Sequence, residues 1–296
     1  MELKTENKLK RLEACRKVRQ FASQTCLYTF QKVLKLQTKV SEVKFRNIWL
    51  KEIYRSIDII GDGWYDPPPN GIAVLFGNEN DYKRINYPTL RPKSYWPKFN
   101  NFLKKDGLGY IFASPYIMIE DVPVIGDFGF TFYLGTNKKI QDHFKKCYKV
   151  LLKLLDNIKL GMNFSDVYKQ SIKIIEDNKL KNNVFGITDK AGTDLGHTIP
   201  FIDRNPDEKE LLSINSGHVE NINSVISKAR VFDNEFEKYI ISENCAFTFE
   251  PRFISDDNSI PMFSLHTIVQ FVEGKKVIAD YFKGIFDLLG MQWLNS

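Results

Sequence analysis

Apolar spacing changes along this chain in blocks, and the order of the blocks limits the fold more than any single motif. Residues 5 to about 55 read as helical, with Phe21, Leu27, Phe30, Val33 and Leu34 as one buried stripe. A turn-rich stretch follows: Gly61, Gly63, Pro67, Pro68, Pro69, Asn70 and Gly71. Three consecutive prolines suit neither a helix interior nor a central strand. Ile72 to Phe76 reads as a strand, Tyr82 to Pro97 as irregular, and Tyr110 to Phe112, Tyr116 to Ile119 and Val122 to Leu134 as strands. Lys138 to Lys159 is an amphipathic helix ended near Gly161, and Phe164 to Asp177 is a second. Ala246 to Phe249, Met262 to Phe271 and Lys276 to Tyr281 return to strand spacing. Helices, strands, helices, strands in that order predict an α+β protein, not a parallel βαβ sheet.

The composition is that of a folded chain: 43% hydrophobic and 26% charged over 296 residues. The formal charge of +6 is spread thinly except near the start, where Lys4, Lys8, Lys10, Arg11, Arg16, Lys17 and Arg19 cluster. That cluster reads as the solvated face of a first helix, and a nucleic-acid arm is the less favoured reading. Cys15, Cys26, Cys147 and Cys245 are scattered without a CxxC pair, which fits a reducing compartment such as the cytoplasm. No apolar run approaches the roughly 18 residues of a membrane span, and the N-terminus is too polar for a secretory signal.

Three segments carry further information: Gly126-Asp127-Phe128-Gly129-Phe130-Thr131-Phe132-Tyr133-Leu134-Gly135, Gly196-His197-Thr198-Ile199-Pro200, and Phe247-Thr248-Phe249-Glu250-Pro251-Arg252-Phe253. Two weaker ones are Lys159-Leu160-Gly161-Met162 and Ser264-Leu265-His266-Thr267-Ile268-Val269. Taken in chain order, these five segments resemble the pita-bread family of methionine aminopeptidases, proline-specific aminopeptidases and creatinases. Along the chain, the matching family segments are an aspartate-ended strand with "TRTF", then "PGM", GHGIG, "TIEP" and a final "EHTVLV" strand. The resemblance spans roughly residues 10 to 295 and is strongest after 122. It implies a single pita-bread domain over 1–296, a curved antiparallel sheet with helices on its outer face. Residues 60–110 would be a divergent loop-rich segment and 203–230 an insertion.

The resemblance also implies a metal site. Of the family's five ligands, Asp127 matches the second aspartate, His197 the histidine and Glu250 the first glutamate. Tyr116 stands where the first aspartate is expected, and Leu265 where the final glutamate is expected. What survives would hold one ion of Mn, Fe, Co or Zn through one imidazole and two carboxylates. Glu250 would also move protons, and His266 would join it as a catalytic residue if the strand register turned it inward. The family's substrate-binding histidine after its GH pair is missing here, and His218 is the candidate to replace it from the insertion. Each residue also has a plain structural reading: Asp127 as a turn residue, His197 as a strand cap, His266 as a buried hydrogen-bonder, and His218 and His143 as solvated side chains. Trp64-Tyr65 and Tyr95-Trp96 either line a pocket or pack a loop.

Three functions follow as expectations. The first is a metallopeptidase-like hydrolase, an aminopeptidase with one metal, acting on a peptide or small-molecule substrate. The second is a non-peptidase mononuclear metal enzyme such as an Fe(II) oxygenase. The third is a metal-free pseudoenzyme that serves as a binding module. A homodimer is left open.

Overall fold

The computed structural model describes residues 3–56, 58–60, 72–186 and 188–295. In chain order the elements are α1 (Thr5–Val33), α2 (Glu42–Ile53), β1 (Ile59–Ile60), β2 (Ala73–Gly77), β3 (Leu108–Ala113), β4 (Tyr116–Ile119), β5 (Val122–Ile125) and β6 (Phe128–Tyr133). Then come α3 (Lys138–Asn157), α4 (Phe164–Asp177), β7 (Leu180–Asn182), α5 (Glu208–Asn215) and α6 (Val219–Lys228). The chain ends with β8 (Cys245–Phe249), β9 (Arg252–Ser255), β10 (Phe263–Ser264), β11 (Thr267–Val272), β12 (Lys275–Ala279) and α7 (Lys283–Leu288). The turn-rich 61–71 stretch and Trp64-Tyr65 lie outside the described residues.

The expected N-terminal helix is two helices. Residues 34–41 break it, and Ser41 restarts the chain as an N-cap whose hydroxyl accepts from the Lys44 N–H at 3.2 Å. Leu34 is exposed, so the buried stripe ends at Val33. The basic cluster is not uniformly solvated either: Arg11 and Arg19 are buried on the same helix face as Leu12, Cys15, Val18 and Ala22. Their three- and four-residue spacing puts them toward the sheets. Tyr95 packs against Tyr87 with ring centroids 6.2 Å apart, a loop-packing role. The 203–230 segment carries α5, opened by a capping box of Asp207 and Glu210, and α6.

Every strand pairing among the described residues is antiparallel, within four three-stranded groups: β1-β4-β5, β2-β3-β6, β12-β11-β8 and β10-β9-β7. Single bridges join them. Phe130 on β6 bridges Leu265, and the His266 N–H donates to the Gly129 carbonyl at 2.8 Å. Residues 195–199 run beside β8, with Thr248 N–H to His197 O and Glu250 N–H to Leu195 O, both 2.8 Å. Residues 231–233 cover their other edge, with Thr198 N–H to Val231 O and Asp233 N–H to Gly196 O, both 2.9 Å. The Val122–Leu134 strand therefore splits at Gly126-Asp127, and the Met262–Phe271 strand splits at Leu265-His266. Both breaks place a candidate side chain.

The largest core lies between β2, β3, β6 and the helices α1–α3. Phe30, Phe45, Phe76, Phe130 and Phe132 meet there at centroid separations of 4.9 to 6.3 Å. One fully buried charge ties the loop 84–101 to it. Glu42 Oε1 accepts from Phe76 N (2.7 Å), Arg84 Nη1 (2.6 Å) and Asn101 Nδ2 (2.7 Å), and Oε2 accepts from Lys98 N (2.8 Å). Glu42→Ala removes the acceptor of a partly buried guanidinium and of two backbone donors, so it should lower stability by about 2–4 kcal/mol. Urea unfolding measures this, and a loss below about 1 kcal/mol would mean that water replaces the carboxylate.

Candidate functional site

Four polar side chains converge where the sheet groups meet. Asp127 sits in the break between β5 and β6, His197 on the 195–199 segment, Glu250 directly after β8, and His266 between β10 and β11. All four are buried. Gly196 lets the His197 segment press on β8: its φ is +148°, and a Cβ there would stand 2.1 Å from the Thr248 carbonyl oxygen. No other residue fits that crossing.

His197 Nε2 lies 3.6 Å from Asp127 Oδ2 and 3.8 Å from Glu250 Oε1. These gaps exceed hydrogen-bond reach. His197 Nδ1 is 3.0 Å from the Thr198 carbonyl, which can only accept, so the proton belongs on Nδ1 and the Nε2 lone pair faces the two carboxylates. Burial, then the nearby Arg230 charge, pushes the imidazole down to about 3, which keeps it neutral. Burial opposes ionisation of Glu250, but His266, His197 and Arg252 outweigh it and hold the carboxyl at about 2. Thr248 Oγ1 donates to Glu250 Oε1 at 3.2 Å, His266 Nε2 pairs with Oε2, and Arg252 Nη2 stands 3.7 Å from Oε2. The Ser114 hydroxyl donates to Asp127 Oδ1.

The four side chains line a narrow cavity of about 70 Å³. Its apolar walls include Tyr110, Phe112, Phe185 and Phe232, and its basic ones Arg91, Arg230 and Arg252. Asp194 also faces it; burial, then the charge of Glu250, raises this carboxyl to about 8, so it is protonated near neutrality.

The position expected for the first aspartate needs correction. Tyr116 lies on β4, buried in a separate apolar cluster, and does not line the cavity. The strand beside Asp127 is β3, and by two-residue alternation it aims Tyr110, Phe112 and Ser114 the same way. Leu265, matched to the final glutamate, faces a different cavity with Leu151, Phe282 and Phe286. His266 faces the pocket instead, its ring 4.9 Å from that of Phe112. His218 caps α6 at the exposed surface and is not part of this cluster. His143, read as solvated, is buried on α3 with Cys147 Sγ 3.5 Å from its Nε2. Sequence reasoning missed Ser114, Asp194, Arg230 and Arg252. Arg252 lay inside a recognised segment and Asp194 two residues before another, whereas Ser114 and Arg230 had no such signal.

The donor chemistry suits the divalent ion that the resemblance implies: a neutral imidazole lone pair and two carboxylates, on one buried wall. The shell is open, however. Among the described residues no three His, Cys, Asp or Glu side chains form a ready-made metal cluster. Bonds of about 2.1 Å require donor separations of roughly 3.0–3.5 Å, so the side chains must close by a few tenths of an ångström.

These shifts predict the acid behaviour of the ion-free protein. His197 is depressed in the folded state, so the unfolded chain takes up its proton first and stability falls as pH drops from about 6.5 toward 3. Glu250 acts in the same direction, its contribution being lost as pH falls from 4.5 toward 2. Asp194 is raised and acts oppositely, costing stability as pH rises from 3.8 toward 8. Urea midpoints across pH 3–8 should therefore change less in Asp194→Asn between pH 6 and 8 than in wild type. His197 ring NMR signals should show no titration above about pH 4.

A family model for metallopeptidase family M24 matches residues 122–272. Among solved structures, the chain is similar to an X-Pro aminopeptidase from Thermotoga maritima at a TM-score of 0.60 and 10% identity, covering 91% of this chain and 60% of that one. A methionine aminopeptidase from the same organism gives 0.55 and 11%, with 90% and 96% covered. The N-terminal domain of FACT complex subunit SPT16 from chickpea gives 0.56 and 11%, with 92% and 57% covered. No curated protein sequence matches the chain. No described helix is long and apolar enough to cross a membrane. The strand pairing and these likenesses give an α+β pita-bread fold, and the matched segment, half of the chain, holds Asp127, His197, Glu250 and His266: the chain belongs to metallopeptidase family M24.

Proposed function

We propose that the cavity is the site of a metal-dependent hydrolase that removes N-terminal residues from peptides, with one divalent ion held by Asp127, His197 and Glu250. The observation that carries this is the neutral His197 Nε2 directed at two buried carboxylates at 3.6 and 3.8 Å. Three electron-pair donors facing one another in a buried site are stabilised by a cation between them. Mn, Fe(II), Co and Zn all suit this set.

When bound, such an ion supplies Lewis acidity, polarising a substrate oxygen and easing deprotonation of water. The chain's own groups do the rest. The Thr198 carbonyl fixes the His197 tautomer, and Ser114 fixes Asp127 by taking one of its oxygens. Glu250 is ionised and touches His266, so a proton taken by the carboxylate has an adjacent imidazole to share it. Tyr110, Phe112, Phe185 and Phe232 give the cavity an apolar side opposite its charged groups. The reading treats residues 1–296 as one domain of a cytoplasmic protein, in keeping with the four cysteines that stand as buried thiols.

A specific observation favours a second reading, a metal-free binding module. β3 turns Tyr110 and Phe112 toward the pocket and no carboxylate, and Leu265 faces away from it. One ion at most is then well supplied with ligands, and ordinary two-metal peptidase activity should be weak.

Protein purified without chelator and assayed by mass spectrometry should carry about one such ion per chain. It should cleave Met- or X-Pro-initiated peptides only when an ion is supplied. Glu250→Ala should abolish ion binding and reduce turnover by more than about 100-fold. Wild-type protein that stays folded and binds none of the four metals would replace the enzyme reading with the binding module.

A further inference from the structure

The most buried cation of the first helix is not explained by the pocket. Arg19, near the middle of α1, is fully buried and has no carboxylate side chain as a direct hydrogen-bond partner among the described residues. Its guanidinium is spent on backbone carbonyls instead. Nη1 donates to Asp127 O, Nη2 to His266 O and also to Asp280 O at 3.2 Å, and Nε donates to Ala279 O. Phe128 and Phe282 flank it, each ring centroid 5.3 Å from Cζ. Burial lowers its pKa, but only to about 10, so it is charged near neutral pH.

Two of those carbonyls belong to residues of the site, one from each half of the sheet system. Both strands are interrupted where they carry them, Asp127 between β5 and β6 and His266 between β10 and β11. Interrupted strands leave carbonyls outside the ladders, and a buried carbonyl needs a donor. One planar fork reaches them all, whereas an ammonium has neither the reach nor the fixed geometry. A second observation shows that the helix is seated for this contact. An added Cβ at Gly126, the residue before Asp127, would stand 2.5 Å from the Arg19 backbone nitrogen and 2.7 Å from Val18 Cγ1.

We propose that Arg19 is a positioning residue for this site: by gripping the carbonyls of Asp127 and His266 together, it sets the spacing between the two strands that carry them. The expectation for metal affinity rests on the proposed function; the structural expectation does not. Arg19→Met keeps the apolar stem, and Arg19→Lys keeps the charge but loses the fork.

Hydrogen exchange in the full chain reads the spacing directly, through the His266 amide bonded to Gly129. Both variants should exchange at least about tenfold faster in segments 128–131 and 264–268, with α3 and α4 unchanged as internal reference. Affinity for Mn(II) should fall about 10- to 100-fold in both, with lysine giving no rescue. Folded variants that exchange at wild-type rates in those two segments would overturn the proposal. If neither variant folds, wild-type exchange in low urea decides: His266 and the amides of residues 15–26 should open as one unit, and separate opening would overturn it. Failure of wild type to bind Mn(II) removes the proposed function alone, because the exchange result still tests Arg19.

Discussion

The pairing of Phe130 with Leu265, sealed by the His266 N–H on the Gly129 carbonyl, is the joint on which the site depends. Alternate residues of a strand face opposite sides, so this one register decides whether residue 265 or 266 enters the pocket. Leucine at 265 belongs with Leu151, Phe282 and Phe286 behind the sheet, and that apolar contact holds the register in which histidine turns inward. A glutamate at 265 in this register would be buried among apolar side chains, with no route to the cavity. The same joint links β6, which follows directly on Asp127, to β11, which pairs with β8, the strand that ends beside Glu250.

Electrostatics then follow from geometry. Burial by itself disfavours the ionised form of Glu250 and of Asp194. Glu250 escapes because His266, His197 and Arg252 surround it, whereas Asp194 lacks comparable compensation and sits beside another carboxylate. The result is a graded set: an ionised glutamate, a neutral imidazole and a protonated aspartate on one wall. Acid and base roles separate in this way when environments push pKa values apart. The basic wall of Arg91, Arg230 and Arg252 offsets the acidic one, so the cavity tolerates its charges before any ion enters.

Much of this was legible in the residues. The amphipathic periods of α3 and α4, the strand at Tyr116–Ile119 and the β8 run stand within a few residues of where spacing puts them. Asp127, His197 and Glu250 converge because each lies beside a glycine or proline that interrupts regular structure, and such breaks show in sequence. The break at 34–41 did not, since it lacks Gly and Pro and depends on the Ser41 cap and on Glu42 gathering distant donors. Buried Arg11 and Arg19 were hidden among solvated lysines because their partners are mostly backbone carbonyls, with a distant Asn205 side chain for Arg11, and these leave no mark in side-chain patterns. Tyr116 was misplaced for a similar reason: spacing along the chain cannot reveal that β4 belongs to a different sheet group from β3.

On the proposed function, one cation sits between His197, Asp127 and Glu250. Anomalous X-ray scattering from crystals grown with Mn(II) tests it most directly. A single peak is expected about 2.0–2.3 Å from His197 Nε2 and from one oxygen of each carboxylate, with none beside Tyr116 or Leu265. A pocket without a peak at saturating Mn(II), or two peaks of equal height within it, would contradict the claim.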